Sequence, residues 1–219
     1  PVLQTAVRDS PSPNARIHAL WALHRLGKAD ESLLAAAAQD GSELVRVHAL
    51  RALAEASRWS PQLSQVALAG LDDKAALVKR AAADALSQHA DPASIERLLA
   101  TLASAAPEDV HLKQALMIAL KSQLREPSAF AALSELKLNQ EQRSALTPIA
   151  LAVPTAAAAE FLLAALQDGL GDNQQLRPQL THVASHAPVT SIDRVVELVR
   201  SRAGDDVDFQ TELIQLLQQ

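Results

Sequence analysis

Seven histidines and no cysteine bound the chemistry open to this chain. His18 and His48 come first, because they occupy matching places in two near-copies. These are Arg16-Ile17-His18-Ala19-Leu20-Trp21-Ala22-Leu23 and Arg46-Val47-His48-Ala49-Leu50-Arg51-Ala52-Leu53. If both segments are helices stacked side by side, their axes lie roughly 8–10 Å apart, and the two imidazoles approach one ligand. A zinc site takes three or four donors, and no matching acidic or His partner stands near either ring. Local hydrogen bonding at the edge of a helix face is therefore the expected role. His24, His89, His111, His182 and His186 show no metal-ligand spacing. Without Cys there is no thiolate metal site, disulfide, Cys nucleophile or covalent haem attachment within this segment. No Gly-rich phosphate loop, nucleophile elbow or paired-carboxylate pocket is suggested, and the six glycines read as helix stops. No catalytic, cofactor-binding or metal-ligating residue is assigned, and the segment is expected not to be an enzyme.

Two further sets of polar residues have a regular spacing. Asp9 precedes Arg16, Asp40 precedes Arg46, and Asp73 precedes Lys79, each at a junction between repeats. A carboxylate at a helix start suits the helix dipole and can pair with the following cation. The expected result is a polar ladder that fixes the rotation of adjacent repeats, each exposed pair contributing only ~0–1 kcal/mol. Trp21 and Trp59 are the only tryptophans. Trp21 sits beside an apolar stripe and is expected to pack. Trp59 falls in a loop after Ser57, and with Arg58 and Arg51 it is the candidate partner-binding anchor.

The elements that must position these residues follow from the repeat. Anchor residues Leu23, Leu53, Leu86, Leu120, Leu151, Ala184 and Leu217 are separated by 30, 33, 34, 31, 33 and 33 residues. A period in that range, drifting as loops vary, predicts stacked helical pairs. The predicted helices are 2–9, 14–26, 31–39, 43–57, 62–71, 74–89, 93–104, 107–124, 128–136, 140–153, 156–167, 174–186, 191–202 and 207–217. Ser12-Pro13 and Ser60-Pro61 read as an N-cap followed by proline at the first helical position. Asn139 with Gln142 reads as a capping box, and Gly27, Gly169 and Gly171 read as stops. Pro148 and Pro178 fall inside predicted helices, where a kink costs ~3 kcal/mol that packing must offset.

Composition agrees with helices. Ala and Leu dominate, aromatics are 2% and Tyr is absent, a bias that suits helices and disfavours sandwiches and barrels. Net charge is −5, without the basic surplus that phosphate binding requires. The second helices of the first five pairs, expected to line the concave side, carry one basic residue, Arg97. No nucleic acid is therefore expected as a partner. No apolar run approaches the roughly 18 residues of a membrane span, so no membrane insertion is expected in this segment.

In this arrangement the residues resemble HEAT repeats. In that family an Asp ends one unit, a Val-Arg pair opens the next first helix, and small residues with Leu follow. Asp40, Val45-Arg46, Ala49 and Ala52-Leu53 fit, as do Asp9, Arg16, Ala19 and Ala22-Leu23. Asp73, Val78-Lys79, Ala82 and Ala85-Leu86 fit as well. The match is specific over residues 9–90 and rests mainly on period beyond them. A narrower resemblance joins Arg16–Gly27 to the repeat segment of planctomycete and verrucomicrobial membrane-bound-dehydrogenase-like, haem-binding multidomain proteins. The first resemblance implies an all-α, right-handed α-α superhelical solenoid. It would be one domain over residues 1–219, of about six helical pairs plus a terminal helix.

The implied function is a non-catalytic protein-binding or scaffolding module, whose partner is a protein or a neighbouring domain of the same polypeptide. The alternative, implied by the narrower resemblance, is a structural spacer in a haem-containing sugar-dehydrogenase-like redox protein of the cell envelope or periplasm. A DNA-binding array ranks third. The first and last helices each lack a pair partner in this register and carry no polar outer face. The chain is therefore expected to be a piece of a larger protein, with Leu3, Val7, Phe209 and Leu213 needing cover from outside it.

Overall fold

The computed structural model describes residues 1–170, 173–202 and 206–216, and within them every regular element is helical. The chain divides into two compact units, Pro1–Glu126 and Pro127–Gln219. The first holds α1 Val2–Asp9, α2 Pro13–Arg25, α3 Glu31–Ala37, α4 Glu43–Ala54, α5 Pro61–Gly70, α6 Ala76–Gln88, α7 Ile95–Ser104 and α8 Val110–Leu124. The second holds α9 Ala129–Glu135, α10 Gln140–Leu151, α11 Ala156–Gln167, α12 Leu176–His186, α13 Ile192–Arg202 and α14 Val207–Leu216. Single-turn 3-10 segments precede α7, α12 and α13. Within each unit the fold is all-α, built from helices packed on their neighbours along the chain.

Helix boundaries follow the capping residues. The Ser12, Asp30, Ser60 and Thr155 side chains accept from the backbone N–H three residues on. Asn139 and Gln142 satisfy one another's backbone reciprocally. Each such cap supplies a partner for an N–H that the helix itself leaves free. Gly27 and Gly169 lie at φ +63° and +76°, a region open to glycine at no steric cost. Gly171 lies outside the described residues. Two prolines depart from expectation. Pro107 does not open α8, which starts at Val110 under an Asp109 cap. Pro178 is the third residue of α12, in the first turn, where a missing N–H breaks no intrahelical bond. Pro148 does lie inside α10, and the helix continues on both sides of it.

In the first unit α2, α4, α6 and α8 stack on one another, while α1, α3, α5 and α7 each pack on the helix that follows. The anchors Leu53, Leu86 and Leu120 are fully buried between them, and Leu23 nearly so. Polar side chains lock the stacking as well. The fully buried Gln123 of α8 donates from Nε2 to the Leu86 carbonyl (2.8 Å) and accepts from the Asp91 N–H (2.5 Å). Ser122 Oγ donates to the Ser87 carbonyl (2.6 Å), and His89 Nε2 meets the Ala54 carbonyl (3.0 Å). The unpaired carbonyls at the ends of α4 and α6 are thus satisfied by the neighbouring repeat, not by water.

In the second unit α11 packs against α9, α10, α12 and α13, and α12 against α14. Leu162, Leu163, Leu166, Leu180, Val183 and Val195 form the centre of this core. Ala184 holds its register position in the core, Leu151 is half-buried, and Leu217 lies outside the described residues. The expectation that Leu3, Val7, Phe209 and Leu213 need cover from outside the chain is corrected for three of the four, although Val2, Val207 and Ile214 on the same helices are exposed. Val7, Phe209 and Leu213 are buried within the chain and Leu3 is half-buried, because α1 packs on α2, and α14 on α12 and α13.

Candidate functional site

The Asp–Arg ladder forms, but with pairings one repeat further on than expected. Arg16 reaches forward to Asp40, donating from Nε and Nη2 to the two carboxylate oxygens at 2.8 Å each. Arg46 makes the same fork onto Asp73 at 2.7 and 2.9 Å. Each Arg also donates backwards, Arg16 to the Ser10 carbonyl and Arg46 to the Asp40 carbonyl. Asp40 and Asp73 in turn accept from the Ser42 and Ala75 N–H groups. The Arg46 side chain is 10% exposed and Asp73 15%, so this rung is largely desolvated. Its guanidinium bonds hold the Asp73 carboxyl below the usual carboxylate range. Asp9 is exposed, and neither it nor Lys79 joins an ion pair among the described residues. A lysine lacks the planar fork that bridges two oxygens at once.

Of the two histidines of matching register, His48 serves the same stacking, while His18 is exposed. Trp21 donates from Nε1 to His48 Nδ1 at 3.0 Å, across one repeat. His24 stands edge-on to Trp21 at 5.4 Å and Arg25 lies over the ring. The bond from Trp21 needs a lone pair on Nδ1 and hence a neutral His48. Burial, with Arg51 and His18 nearby, also pushes the His48 pKa down. His24 and Arg25 both meet Glu55. No group of three or more His, Asp or Glu among the described residues has the arrangement of a metal site.

The three residues singled out for partner binding are not brought together. Trp59 is half-buried and stacks flat on His89, with ring centroids 4.2 Å apart and 8° between planes. It borders an open concavity of about 400 Å³ with Pro61, Gln65 and Pro92. Arg58 is exposed and borders a different concavity, of about 430 Å³, with His24 and Glu55. Arg51 is exposed and lines neither. Trp59 is thus partly spent on a contact that orders its own loop.

A larger concavity lies in the second unit, where sequence reasoning had assigned nothing. It is an open groove of about 710 Å³ between α9 with its following segment 136–138 and one face of α11. Phe130, Leu133, Leu136 and Leu138 form one wall, and Phe161 with Ala157, Ala164 and Ala165 the other. Phe130 and Phe161 meet at 5.9 Å with planes tilted by 53°. The alanines keep the α11 wall low, and at i, i+7 and i+8 they face the same way. Four charged residues, Lys137, Arg143, Glu160 and Asp168, rim it. One signal of this site was legible: Phe130 and Phe161 are two of only three phenylalanines, set 31 residues apart on second helices.

Two buried polar groups on α12 complete the picture of this unit. Gln179 Oε1 and His182 Nε2 are buried without a protein partner among the described residues. Burial, with His186 beside it, pushes the His182 pKa down to about 4.

Charge is divided unevenly by unit. Residues 1–126 carry fourteen Lys and Arg against fourteen Asp and Glu, while residues 127–219 carry six against eleven. Arg97, the basic residue on the early second helices, is paired with Asp72. No helix among the described residues is long and apolar enough to cross a membrane.

Across its full length the chain is similar to the crystal structure of an engineered protein, a structural-genomics target. The two share 16% identity, 96% of that chain is covered and the TM-score is 0.46, a likeness too remote to carry functional weight. No curated protein matches. The model of the family described as HEAT repeats matches residues 31–121, the stretch of the first unit where the Arg46–Asp73 rung and the stacking of α4, α6 and α8 are found.

Proposed function

We propose that this chain is a non-catalytic protein-binding or scaffolding module, and that the α9–α11 groove is where it holds its partner. The observation that supports this is the groove itself: two phenylalanines and three leucines line an open surface concavity, where isolated exposed apolar residues would need no explanation. HEAT repeats generally mediate protein interaction, which agrees with it. Nucleic acid is disfavoured because phosphate contacts need several free cations, and among the described residues the groove rim offers one, Lys137. The partner is thus a protein or a neighbouring domain. The segment 1–219 is read as one such module, in which the first unit supplies a rigid stack and the second the docking surface.

The spacer reading, drawn from the narrower resemblance to dehydrogenase-like multidomain proteins, rests on Arg16 and Trp21. Both are spent on contacts between repeats, as a spacer requires, but a spacer gives no reason for the groove. A photo-crosslinking residue placed at Ala164 in the groove wall, with Arg58 as comparison, separates the two. Protein adducts in cells of the source at Ala164 and not at Arg58 are the expected result. Absence of adducts at Ala164, or equal yields at both, removes the binding reading from first place.

A further inference from the structure

We infer that the α9–α11 groove takes an amphipathic helical peptide segment of about three turns that carries a carboxylate at the edge of its apolar face. The inference rests on the protein-binding reading above and adds the chemistry of the occupant.

Its length comes from α11. The groove wall runs from Ala157 to Asp168, twelve residues whose ends lie ~16 Å apart at 1.5 Å rise per residue, or about three helical turns. Its apolar face comes from the lining. Phe130 and Phe161 are half-buried in it, and the low alanine stripe leaves room for bulky side chains recurring at i, i+3 or i+4 and i+7. An aqueous small molecule would find few polar groups there to fix its orientation.

The charge comes from the rim. Glu160 is engaged by Arg194 at 2.9 Å and by the Ser191 hydroxyl. Asp168 is engaged by Arg143. Those rim charges are therefore compensated within the unit. Lys137 is exposed and joins no ion pair among the described residues. A single free ammonium beside an apolar trough selects a partner with a carboxylate at that edge. It disfavours a basic one, whose approach meets Lys137 without a compensating free carboxylate on the rim.

The test is a display selection from a random library of helix-forming peptides on the full chain, counter-selected against Ala164→Glu. Ala164 is exposed, so the substitution alters the trough without touching the core, and unchanged far-UV circular dichroism checks this. Clones retained by the wild type and lost on the variant are expected to carry bulky apolar residues at helical spacing with Asp or Glu flanking them. Their affinity should fall about five-fold on Lys137→Glu, the size of effect an exposed charge supports. Groove-dependent clones that are basic, or indifferent to Lys137→Glu, overturn the inference. A failure to select any groove-dependent clone also overturns it. If the wild type self-associates in sedimentation and Ala164→Glu disperses it, a second copy is the occupant and the peptide reading falls. The crosslinking yield at Ala164 is independent of all these arms, so protein adducts there would leave the binding reading standing while the occupant's chemistry fails.

Discussion

Gln123 offers the sharpest test of how the first unit holds together. Its side chain is fully buried, with the amide nitrogen committed to the Leu86 carbonyl and the amide oxygen to the Asp91 N–H. Gln123→Leu keeps the bulk and strands both backbone groups, each costing ~1–3 kcal/mol. The added apolar surface returns part of this, so a loss of about 2–4 kcal/mol is expected.

Gln123→Glu turns the same site into a titration. Protonated, the carboxyl donates to Leu86 and accepts from Asp91, as the amide does. Ionised, it is a buried charge with one oxygen facing the Leu86 carbonyl. Burial therefore raises its folded pKa above the ~4.3 of the unfolded chain. Below ~4.3 both states hold the proton and the variant approaches the wild type. Above it, stability falls by ~1.4 kcal/mol per pH unit until the folded pKa is passed.

Urea denaturation followed by tryptophan fluorescence reads this directly, because Trp21 and Trp59 both lie in the first unit. Gln123→Leu is the reference, sharing every other carboxylate. A constant offset between the Glu and Leu variants from pH 4 to pH 8 would refute the bonding pattern at Gln123. So would a Glu variant as stable as wild type at pH 8.

Arg46→Ala leaves Asp73 part-buried and unpaired and is expected to cost about 3 kcal/mol at pH 7. Asp73 has a lowered folded pKa, so the pair's contribution is present above ~pH 4 and lost as pH falls through the folded value. The gap to wild type in urea titrations should therefore shrink in acid. Gly70→Ala would place a Cβ 2.9 Å from the Ala82 Cβ and 3.0 Å from a Leu50 methyl, where α5 and α6 approach closely. A net loss of ~1–2 kcal/mol in the same assay is expected despite alanine's better helix propensity, and a gain would show that the two helices separate at little cost. His182 is neutral in the fold down to about pH 4, whereas the unfolded chain protonates it near 6.5. The second unit should lose up to about 3 kcal/mol between pH 7 and pH 4 on this account. In His182→Leu that part of the slope should vanish in denaturation followed by circular dichroism.

Much of the architecture was legible because its causes are local. Capping residues act within one turn, and the spacing of Leu53, Leu86 and Leu120 is set by helix geometry, so α1, α5 and α11 fall within one residue of expectation. The groove was not legible in the same way. Phe130 and Phe161 stood out by rarity alone, and nothing in the period says that their rings border an open trough. The same holds for Trp59, whose loop position suggested an exposed anchor and whose ring in fact lies on His89.

What the sequence determined by itself is the helical repeat, its register and the residue types available for a ladder, since propensity, capping and apolar periodicity all operate over a few residues. What only the tertiary structure decided is which partners those residues take. Asp40 lies six residues before Arg46 in the chain, yet its carboxylate pairs with Arg16, and Arg46 reaches on to Asp73. Proximity along the chain suggested the first pairing. Stacking brings the start of each following repeat within reach of the preceding guanidinium, and the two-pronged fork then selects the oxygens it can bridge together.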